Sequence, residues 1–296
     1  MRNISSYLTL FILAALLSST PVLANEGESA ARVGQVYEIV QTYKTNSESE
    51  DGSRSSSSEG GNALVERVVA VRDSGIELEY DLASDVTKQN RDQEWTFPAR
   101  VFKPANGPMV LTNSEELESR LAKWLKRAKW KRAVCGRWFF TWTAFKVECD
   151  PQSVLKTLAD YDMRPAGLVT GMPFIDMHAK EAVPLEQVDV NKGKAVYRAV
   201  LVIDPDSVRK DSAASDVIIG EISGAPVKLE DALKAREHEH YSGTITIVIE
   251  ANENGEIERR TRKSELKTVD KEGKTETEYK TVVTSRKLLL SPSTPQ

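Results

Sequence analysis

The sequence predicts an α+β fold with a curved, mainly antiparallel sheet, one long amphipathic helix, one or two shorter helices and a C-terminal β-meander. Three patterns support this prediction. Residues 76–82 (IELEYDL) alternate apolar and acidic side chains, which is typical of a strand with one solvated face in an antiparallel sheet. Residues 113–130 carry apolar side chains at helical spacing. Residues 242–287 contain three strand-like runs separated by two glycine-containing turns.

The N-terminal half of the predicted sheet contains five strands. Residues 34–45 are rich in β-branched and aromatic side chains, which suit a pleated surface. Residues 46–61 (NSESEDGSRSSSSEGG) contain no apolar side chain whose burial would offset the entropy of ordering them. We therefore predict a flexible serine-rich loop at 46–61, inside a hairpin. The predicted strands are 34–45, 63–72, 76–82, 94–103 and 108–112.

The predicted amphipathic helix begins after Asn113, a residue type that favours the N-cap position. Its apolar stripe is formed by Leu117, Leu121, Trp124, Leu125 and Ala128, and Gly136 is a plausible stop. A second helix is predicted from Asp150-Pro151, an N-cap followed by a first-turn proline, and ends near Arg164-Pro165.

The pattern is weaker between residues 165 and 240. Residues 196–204 (VYRAVLVID) and 214–222 (ASDVIIGEI) are predicted as strands, and each contains four β-branched side chains among nine residues. Residues 228–240 are predicted to be helical. The C-terminal meander comprises residues 242–251, 256–269 and 274–287, with Asn254-Gly255 and Glu272-Gly273 as turns. A two-residue loop at Glu272-Gly273 pairs Lys267 with Glu278 and Glu265 with Lys280, which are favourable charge pairs.

The N-terminus predicts export. Arg2 precedes an apolar run at 7–17, and Val22-Leu23-Ala24 follows, which is typical of a signal peptide cleaved after Ala24. An uncleaved anchor is the alternative, but the run is shorter than the roughly 20 residues of a membrane span. Removing the first 24 of the 296 residues leaves 272 and changes the net charge from −4 to −5, because Arg2 is lost. We expect a periplasmic or secreted protein with a signal peptide (1–24), a disordered lead (25–33), one α+β domain (34–290) with a candidate subdivision near 165–195, and a tail (291–296).

The two cysteines, Cys135 and Cys149, flank an aromatic segment. An even cysteine pair in an exported chain favours a disulfide. A disulfide needs Cα atoms within about 7 Å, whereas an unbroken strand of this length spans about 46 Å. The bridge therefore requires the chain to reverse near Trp142. The alternative is a single buried strand with two apolar faces, and the sequence leaves both open.

Residues 120–146, called here the basic–aromatic region, contain nine cationic side chains, no acidic side chain and four of the five tryptophans. Extending the helix through residue 130 places Trp130 among Lys123 and Lys126, away from the apolar stripe. Such a surface suits an anionic ligand or surface. The candidate binding residues are Lys123, Lys126, Arg127, Trp130, Trp138 and Trp142. The alternative is a core helix with buried tryptophans, whose cations complement the helix dipole.

These features favour an exported, non-enzymatic envelope protein that binds an amphipathic ligand or a protein partner through the basic–aromatic region. The expected partner is a lipid or another anionic envelope component. We expect no nucleic-acid partner, no cofactor and no membrane span after signal removal. One alternative is a structural or assembly module that uses exposed C-terminal strands as a pairing surface.

A hydrolase or metal enzyme is a third hypothesis. The sequence contains no standard hydrolase, nucleotide-binding or metalloprotease motif. The support for a metal is therefore the pair His238 and His240, which would share one face of a strand.

Overall fold

The N-terminal half forms a five-stranded meander. A computed structural model describes residues 31–141, 144–164, 167–191 and 194–291. The predicted signal peptide, residues 25–30 of the predicted lead, and residues 292–296 of the predicted tail lie outside these ranges. The elements of this half are β1 (Val36–Ser49), β2 (Ser55–Arg72), β3 (Gly75–Leu82), α1 (Lys88–Gln93), β4 (Ala99–Pro104) and β5 (Val110–Leu111).

Helices and short hairpins occupy the middle of the chain. These elements are α2 (Ser114–Arg127), a 3-10 turn (Arg132–Val134), β6 (Trp138–Phe140), β7 (Ala144–Lys146), a second 3-10 turn (Pro151–Ser153), α3 (Val154–Tyr161), β8 (Pro173–Phe174) and β9 (Val183–Pro184). The C-terminal half returns to long strands. Its elements are β10 (Glu186–Asn191), β11 (Lys194–Val202), α4 (Pro205–Ser223), α5 (Leu229–Ala235), β12 (His240–Ala251), β13 (Ile257–Val269) and β14 (Thr275–Leu290).

Ten strands form one antiparallel sheet in the order β10-β11-β12-β13-β14-β1-β2-β3-β4-β5. Its centre is the pairing of β1 with β14, so the first and last strands of the chain lie side by side. The mainly antiparallel α+β fold and the C-terminal meander are thereby confirmed. The described residues contain no helix with both the length and the apolar character needed to cross a membrane.

The C-terminal strands lie inside the sheet. β13 is paired with β12 on one side and β14 on the other, and β14 is paired with β13 and β1. An assembly role that depends on unpaired edges of these strands is therefore inconsistent with the sheet, because unpaired backbone groups occur at edge strands. The exposed surface of β13 and β14 consists of side chains on their faces.

One hydrophobic cluster links both halves of the sheet to the helices. Leu117, Leu121 and Leu125 of α2 are buried in it, together with Val154 and Leu158 of α3. Full burial of each leucine contributes about 1.5–3 kcal/mol. Ile245, Ile247 and Ile249 of β12 enter the same cluster from the C-terminal half, as their alternation predicts.

The centre of the covered sheet face is polar. Arg260 and Arg262 on β13 share this face with Arg286 on β14, because Arg260 is paired with Thr284 and alternate residues of a strand share a face. The end of α3 and described residues between α3 and β9 lie over them. Arg260 donates to the backbone carbonyl oxygens of Asp160, in the last turn of α3 (2.7 Å), and of Asp162, just after it (3.3 Å). Arg262 binds both carboxylate oxygens of Asp176 (2.8 and 3.1 Å). Arginine side chains therefore tie these residues to the sheet.

Arg286 binds a fully buried carboxylate. Glu66 is 0% exposed, and its Oε1 accepts hydrogen bonds from Arg286 (2.8 Å) and from Arg164 Nε (3.0 Å). The Tyr80 hydroxyl donates to Oε2 (3.0 Å). The Arg286 guanidinium also lies 3.4 Å from the centre of the Tyr37 ring. Burial raises the pKa of Glu66. The charges and hydrogen bonds of Arg164 and Arg286 lower it by a larger amount, so the pKa lies below its usual value.

The prediction of a flexible loop at 46–61 is wrong. Asn46 is paired with Ser57 across the β1–β2 hairpin, and the Ser57 hydroxyl donates to the Asn46 side chain (3.0 Å). Only residues 50–54 connect the two strands. Because β1 is paired on both sides, its backbone hydrogen bonds order the hairpin without apolar burial. Residues 31–33 of the predicted disordered lead are also ordered, since Gln35 N donates to Arg32 O (3.1 Å).

The predicted strand at 214–222 is helical. It lies inside α4, which has 19 residues and is longer than the 14-residue α2. Asp204 caps α4 by accepting from Asp206 N (3.1 Å), Pro205 opens its first turn, and Gly224 ends it with φ of 75°. These start and stop signals dominate over the β-branched composition.

The predicted register of the β13–β14 hairpin is wrong by one residue. Lys267 is paired with Thr277 and Glu265 with Tyr279, rather than with Glu278 and Lys280. Asp270 N donates to Lys274 O (2.9 Å), which leaves a three-residue loop instead of a two-residue loop. Gly273 supplies the positive φ (80°) that such loops require at their last position.

We predict that Glu66→Gln lowers the free energy of unfolding by about 3–5 kcal/mol, because it removes the carboxylate that both Arg164 and Arg286 contact. Arg286 then keeps only a longer contact of 4.0 Å with Glu256, and Arg164 has no other carboxylate within 4.0 Å among the described residues. The matched control is Glu77→Gln, which removes the partly exposed partner of the exposed Arg72 and is expected to cost about 0–1 kcal/mol. Urea unfolding monitored by circular dichroism measures both values. Equal changes in the two variants would contradict a dominant role for the buried cluster.

The same carboxylate predicts a dependence of stability on pH. The folded-state pKa of Glu66 is lowered, so its contribution is complete above the unfolded-state value of about 4.3 and is lost as the pH falls through the lower folded-state value. We therefore expect the stability difference between wild type and Glu66→Gln to shrink below about pH 4. Unfolding curves recorded across acidic pH test this, and a constant difference would contradict it.

Candidate functional site

The basic–aromatic region begins on α2, whose end differs from the prediction. Asn113 does not cap α2 through its side chain; its Oδ1 accepts from Arg100 N (2.9 Å) instead. The helix ends at Arg127, before the predicted residue 130. Lys129 takes a left-handed conformation (φ 56°), with Lys129 N donating to Lys126 O (3.1 Å) and Trp130 N to Leu125 O (2.9 Å). These two hydrogen bonds form a Schellman motif.

This motif determines the position of Trp130. The expectation that Trp130 lies among Lys123 and Lys126 is wrong, because the residue is outside the helix and turns back onto it. Its ring meets the edge of Trp124 at a centroid distance of 5.5 Å. An apolar contact between these two positions commonly accompanies a Schellman motif. Trp124 and Trp130 are partly buried against the hydrophobic cluster, as the core interpretation of the tryptophans expects.

The aromatic segment is a hairpin closed by a disulfide. Cys135 and Cys149 are bonded, with Cα atoms 5.4 Å apart, which confirms the disulfide and rules out the single buried strand. Gly136 N donates to Val147 O (2.8 Å), so the ladder continues from the disulfide into the paired strands β6 and β7. Trp142, at the predicted reversal, lies outside the described residues. The hairpin is separate from the ten-stranded sheet.

The hairpin continues the row of stacked rings that begins at Trp124. Phe139 lies 5.6 Å from Trp130 and 5.9 Å from Phe145, its cross-strand partner. Exposure increases along this row, and Phe145 is 37% exposed. Phe140, on the opposite face of the hairpin, is 64% exposed. Trp138 is half-buried, and its backbone N donates to Glu221 of α4 (3.3 Å). The row therefore extends from the core into solvent.

Most cations of the region are exposed, and among the described residues they have no carboxylate partner. Three of the nine have carboxylate partners: Arg120 with Glu116, Arg132 with Glu118, and Lys146 with Glu148. Burial lowers the pKa of Arg120, and the Glu116 charge partly opposes this effect. In the part of the chain that the structure describes, the other six have no carboxylate oxygen within 4.0 Å. These six are Lys123, Lys126, Arg127, Lys129, Lys131 and Arg137.

A groove of about 560 Å³ lies beside the region, between α1 and the end of α2. Its lining includes Trp124 and Arg127 from α2, with polar side chains from α1. A second groove, of about 400 Å³, lies between α3 and the segment that precedes β5. Sequence reasoning missed both grooves because they depend on how helices pack. Phe139 and Phe145 are also not among the candidate binding residues predicted from the sequence. Both lie three residues from Trp142, so a reversal there predicts that they are paired.

The two candidate metal ligands do not share a strand face. His238 lies in the turn after α5, with its side chain 70% exposed, and His240 is the first residue of β12. His238 Nε2 lies 3.2 Å from Glu237 Oε1. Among the described residues, no group of three or more His, Cys, Asp or Glu side chains is arranged to hold a metal ion.

Comparison with known proteins does not identify a family. No family model and no curated protein matches the chain. Among solved structures, the dehydratase domain from the CurF module of curacin polyketide synthase aligns with 89% of this chain and 80% of its own, at 11% identity and a TM-score of 0.11. A TM-score this low carries no information about fold or function.

We predict that the disulfide holds the hairpin in its folded form. Two strands of three residues each, with exposed side chains, are only marginally stable alone in water. Replacing both cysteines, Cys135→Ser with Cys149→Ser, should cost at most about 3 kcal/mol of global stability. It should also abolish protection of the backbone amides of residues 138–140 and 144–146 in hydrogen exchange. Retained protection of these amides in the serine variant would contradict this prediction, and β12 amides serve as the internal control.

Proposed function

We propose that this is an exported protein that binds anionic, amphipathic surfaces, with anionic phospholipid head groups as the target, through the basic–aromatic region. The observation that carries the proposal is that one segment combines six exposed cations, which have no carboxylate partner among the described residues, with a hairpin that exposes Phe140 and Phe145. The role requires neither a cofactor nor a catalytic group.

The cations supply the electrostatic part of binding. Lysine and arginine near an anionic membrane surface contribute about 1 kcal/mol each, and this attraction acts within about one Debye length. Since the six cations have no carboxylate partner among the described residues, their charge is available to an external anion. Binding needs no salt bridge to be broken first.

The hairpin supplies the apolar part. Phe140 and Phe145 are exposed next to Arg137 and Lys146, and aromatic side chains next to cations suit the boundary between head groups and acyl chains. The disulfide closes the hairpin, and the ring contacts from Phe139 through Trp130 to Trp124 hold it against α2. Fewer side-chain rotations are then lost on binding, which favours affinity.

Two observations support an exported location. The first 24 residues have the pattern of a signal peptide. The cysteine pair forms a disulfide, a bond that is typical of oxidising compartments such as the periplasm or the extracellular space. The alternative assembly role would use the exposed faces of the C-terminal strands, because their edges are paired.

We predict that purified protein binds vesicles of phosphatidylglycerol and phosphatidylcholine, and binds pure phosphatidylcholine vesicles much more weakly. The triple variant Lys126→Gln, Lys131→Gln, Arg137→Gln should bind about 100-fold more weakly, at about 1 kcal/mol per charge. Flotation at increasing salt should show the attraction weakening.

The matched control is Lys263→Gln, Lys267→Gln, Lys280→Gln, which removes the same charge from exposed positions on β13 and β14. It should bind vesicles as the wild type does. Equal losses in the two triple variants would mean that net charge, and not this surface, controls binding. Phe140→Ser tests the apolar part and should weaken binding without changing its salt dependence.

A further inference from the structure

The groove between α1 and α2 has the size of a small-molecule site. Its volume of about 560 Å³ lies within the range of about 300–1,000 Å³ that is typical of ligand pockets. It is open to solvent on the side opposite the core. Its lining residues are Lys88, Gln89, Asp92, Gln93, Trp124, Arg127 and Ala128.

Helix α1 is held so that its polar side chains are available to the groove. Thr87 caps the helix by accepting from Asn90 N (3.3 Å). Arg91 ties the helix to the end of β3 by donating to the Leu82 and Ala83 carbonyl oxygens (2.9 and 2.6 Å). No residue of α1 is buried. The residues that line the groove are spaced so that they share the side of the helix facing α2.

The α2 wall combines an aromatic ring with an unpaired cation. Trp124 is half-buried, with Trp130 against it, so its position is determined by packing. Arg127 has no carboxylate within 4.0 Å in the described ranges. Asp92 is paired with Lys88 (2.7 Å), whose hydrogen bond lowers the pKa of Asp92. The groove therefore contains one balanced ion pair and one excess positive charge.

We propose that this groove binds an acidic sugar, with the sugar ring against Trp124 and its carboxylate on Arg127. The C–H face of a pyranose packs on an aromatic ring, and its hydroxyl groups need side chains that both donate and accept. Gln89 and Gln93 do both, and Asp92 accepts. Arginine binds a carboxylate with two parallel hydrogen bonds.

The lining disfavours two other ligand classes. An alkyl chain gains most in an enclosed apolar cavity, and this groove is open to solvent. A doubly charged phosphate group is disfavoured because the one unpaired arginine of the groove balances only a single negative charge. A ligand with one carboxylate and several hydroxyl groups fits better. The site extends beyond membrane binding, because Gln89 and Gln93 lie outside the basic–aromatic region.

The test compares glucuronate with glucose, which differ at C6 by a carboxylate in place of a hydroxymethyl group. Saturation-transfer NMR on the full mature protein should detect glucuronate, and titration of the tryptophan indole signals should give its dissociation constant. We expect glucose to bind at least about tenfold more weakly, since a charge-assisted hydrogen bond is lost. Arg127→Gln should weaken glucuronate binding about tenfold, whereas Arg54→Gln, at the exposed β1–β2 turn, should leave it unchanged.

A second variant separates this site from the membrane surface. The double variant Gln89→Ala, Gln93→Ala changes exposed residues of a helix with no buried residue, so it should fold normally. It should lose glucuronate binding and keep vesicle binding. Two results would overturn the proposal. One is that glucuronate binds no more tightly than glucose, and the other is that Arg127→Gln and Arg54→Gln bind glucuronate with equal affinity. Vesicle binding that fails while glucuronate binding persists would overturn the membrane role alone.

Discussion

The buried carboxylate of Glu66 on β2 must be neutralised where β1 and β14 meet. Its carboxylate is fully buried beside this pair of strands, and burial of an unpaired carboxylate would cost several kcal/mol. Arg286 of β14 and Arg164 of the segment after α3 supply the compensating charge. A single buried group thus links the first strands, the last strand and the middle of the chain. A buried polar network that lacks some of its hydrogen bonds is costly, so this network favours the arrangement of these three parts in which all of its members are bonded.

Arginines then determine how the sheet is covered. Apolar side chains lie on both sides of the arginines of β13 and β14, and α2 and α3 cover the N-terminal side with leucines. Arg260 binds the carbonyl oxygen of Asp162, just after α3, and Arg262 binds the carboxylate of Asp176. Backbone groups outside helices and strands need other partners, so a polar sheet surface satisfies them better than an apolar one. This explains why residues outside regular secondary structure can pack on the sheet here.

The sequence patterns identified elements where one physical effect dominated. The alternation at 76–82 and 242–251 predicted strands with one buried face, and both are present. Predictions failed where two effects competed. At 214–222, β-branched composition favoured a strand, but the cap at Asp204 and the stop at Gly224 decided for helix. At 46–61, composition indicated disorder, but pairing between strands distant in sequence ordered the segment. Such pairing leaves no local signal.

In the candidate site, too, the sequence predicted some features and not others. The basic–aromatic composition was visible in the sequence, and a disulfide between Cys135 and Cys149 implies the pairing of Phe139 with Phe145, since both pairs are symmetric about Trp142. The position of Trp130 was not predictable by helical extrapolation. A lysine, not a glycine, occupies the left-handed position at residue 129, at a cost of about 1–2 kcal/mol. The contact between Trp124 and Trp130 offsets that cost, and it joins the hairpin to the core. The same contact leaves the other side of Trp124 facing the α1 groove, so one pair of tryptophans supports both proposed binding surfaces.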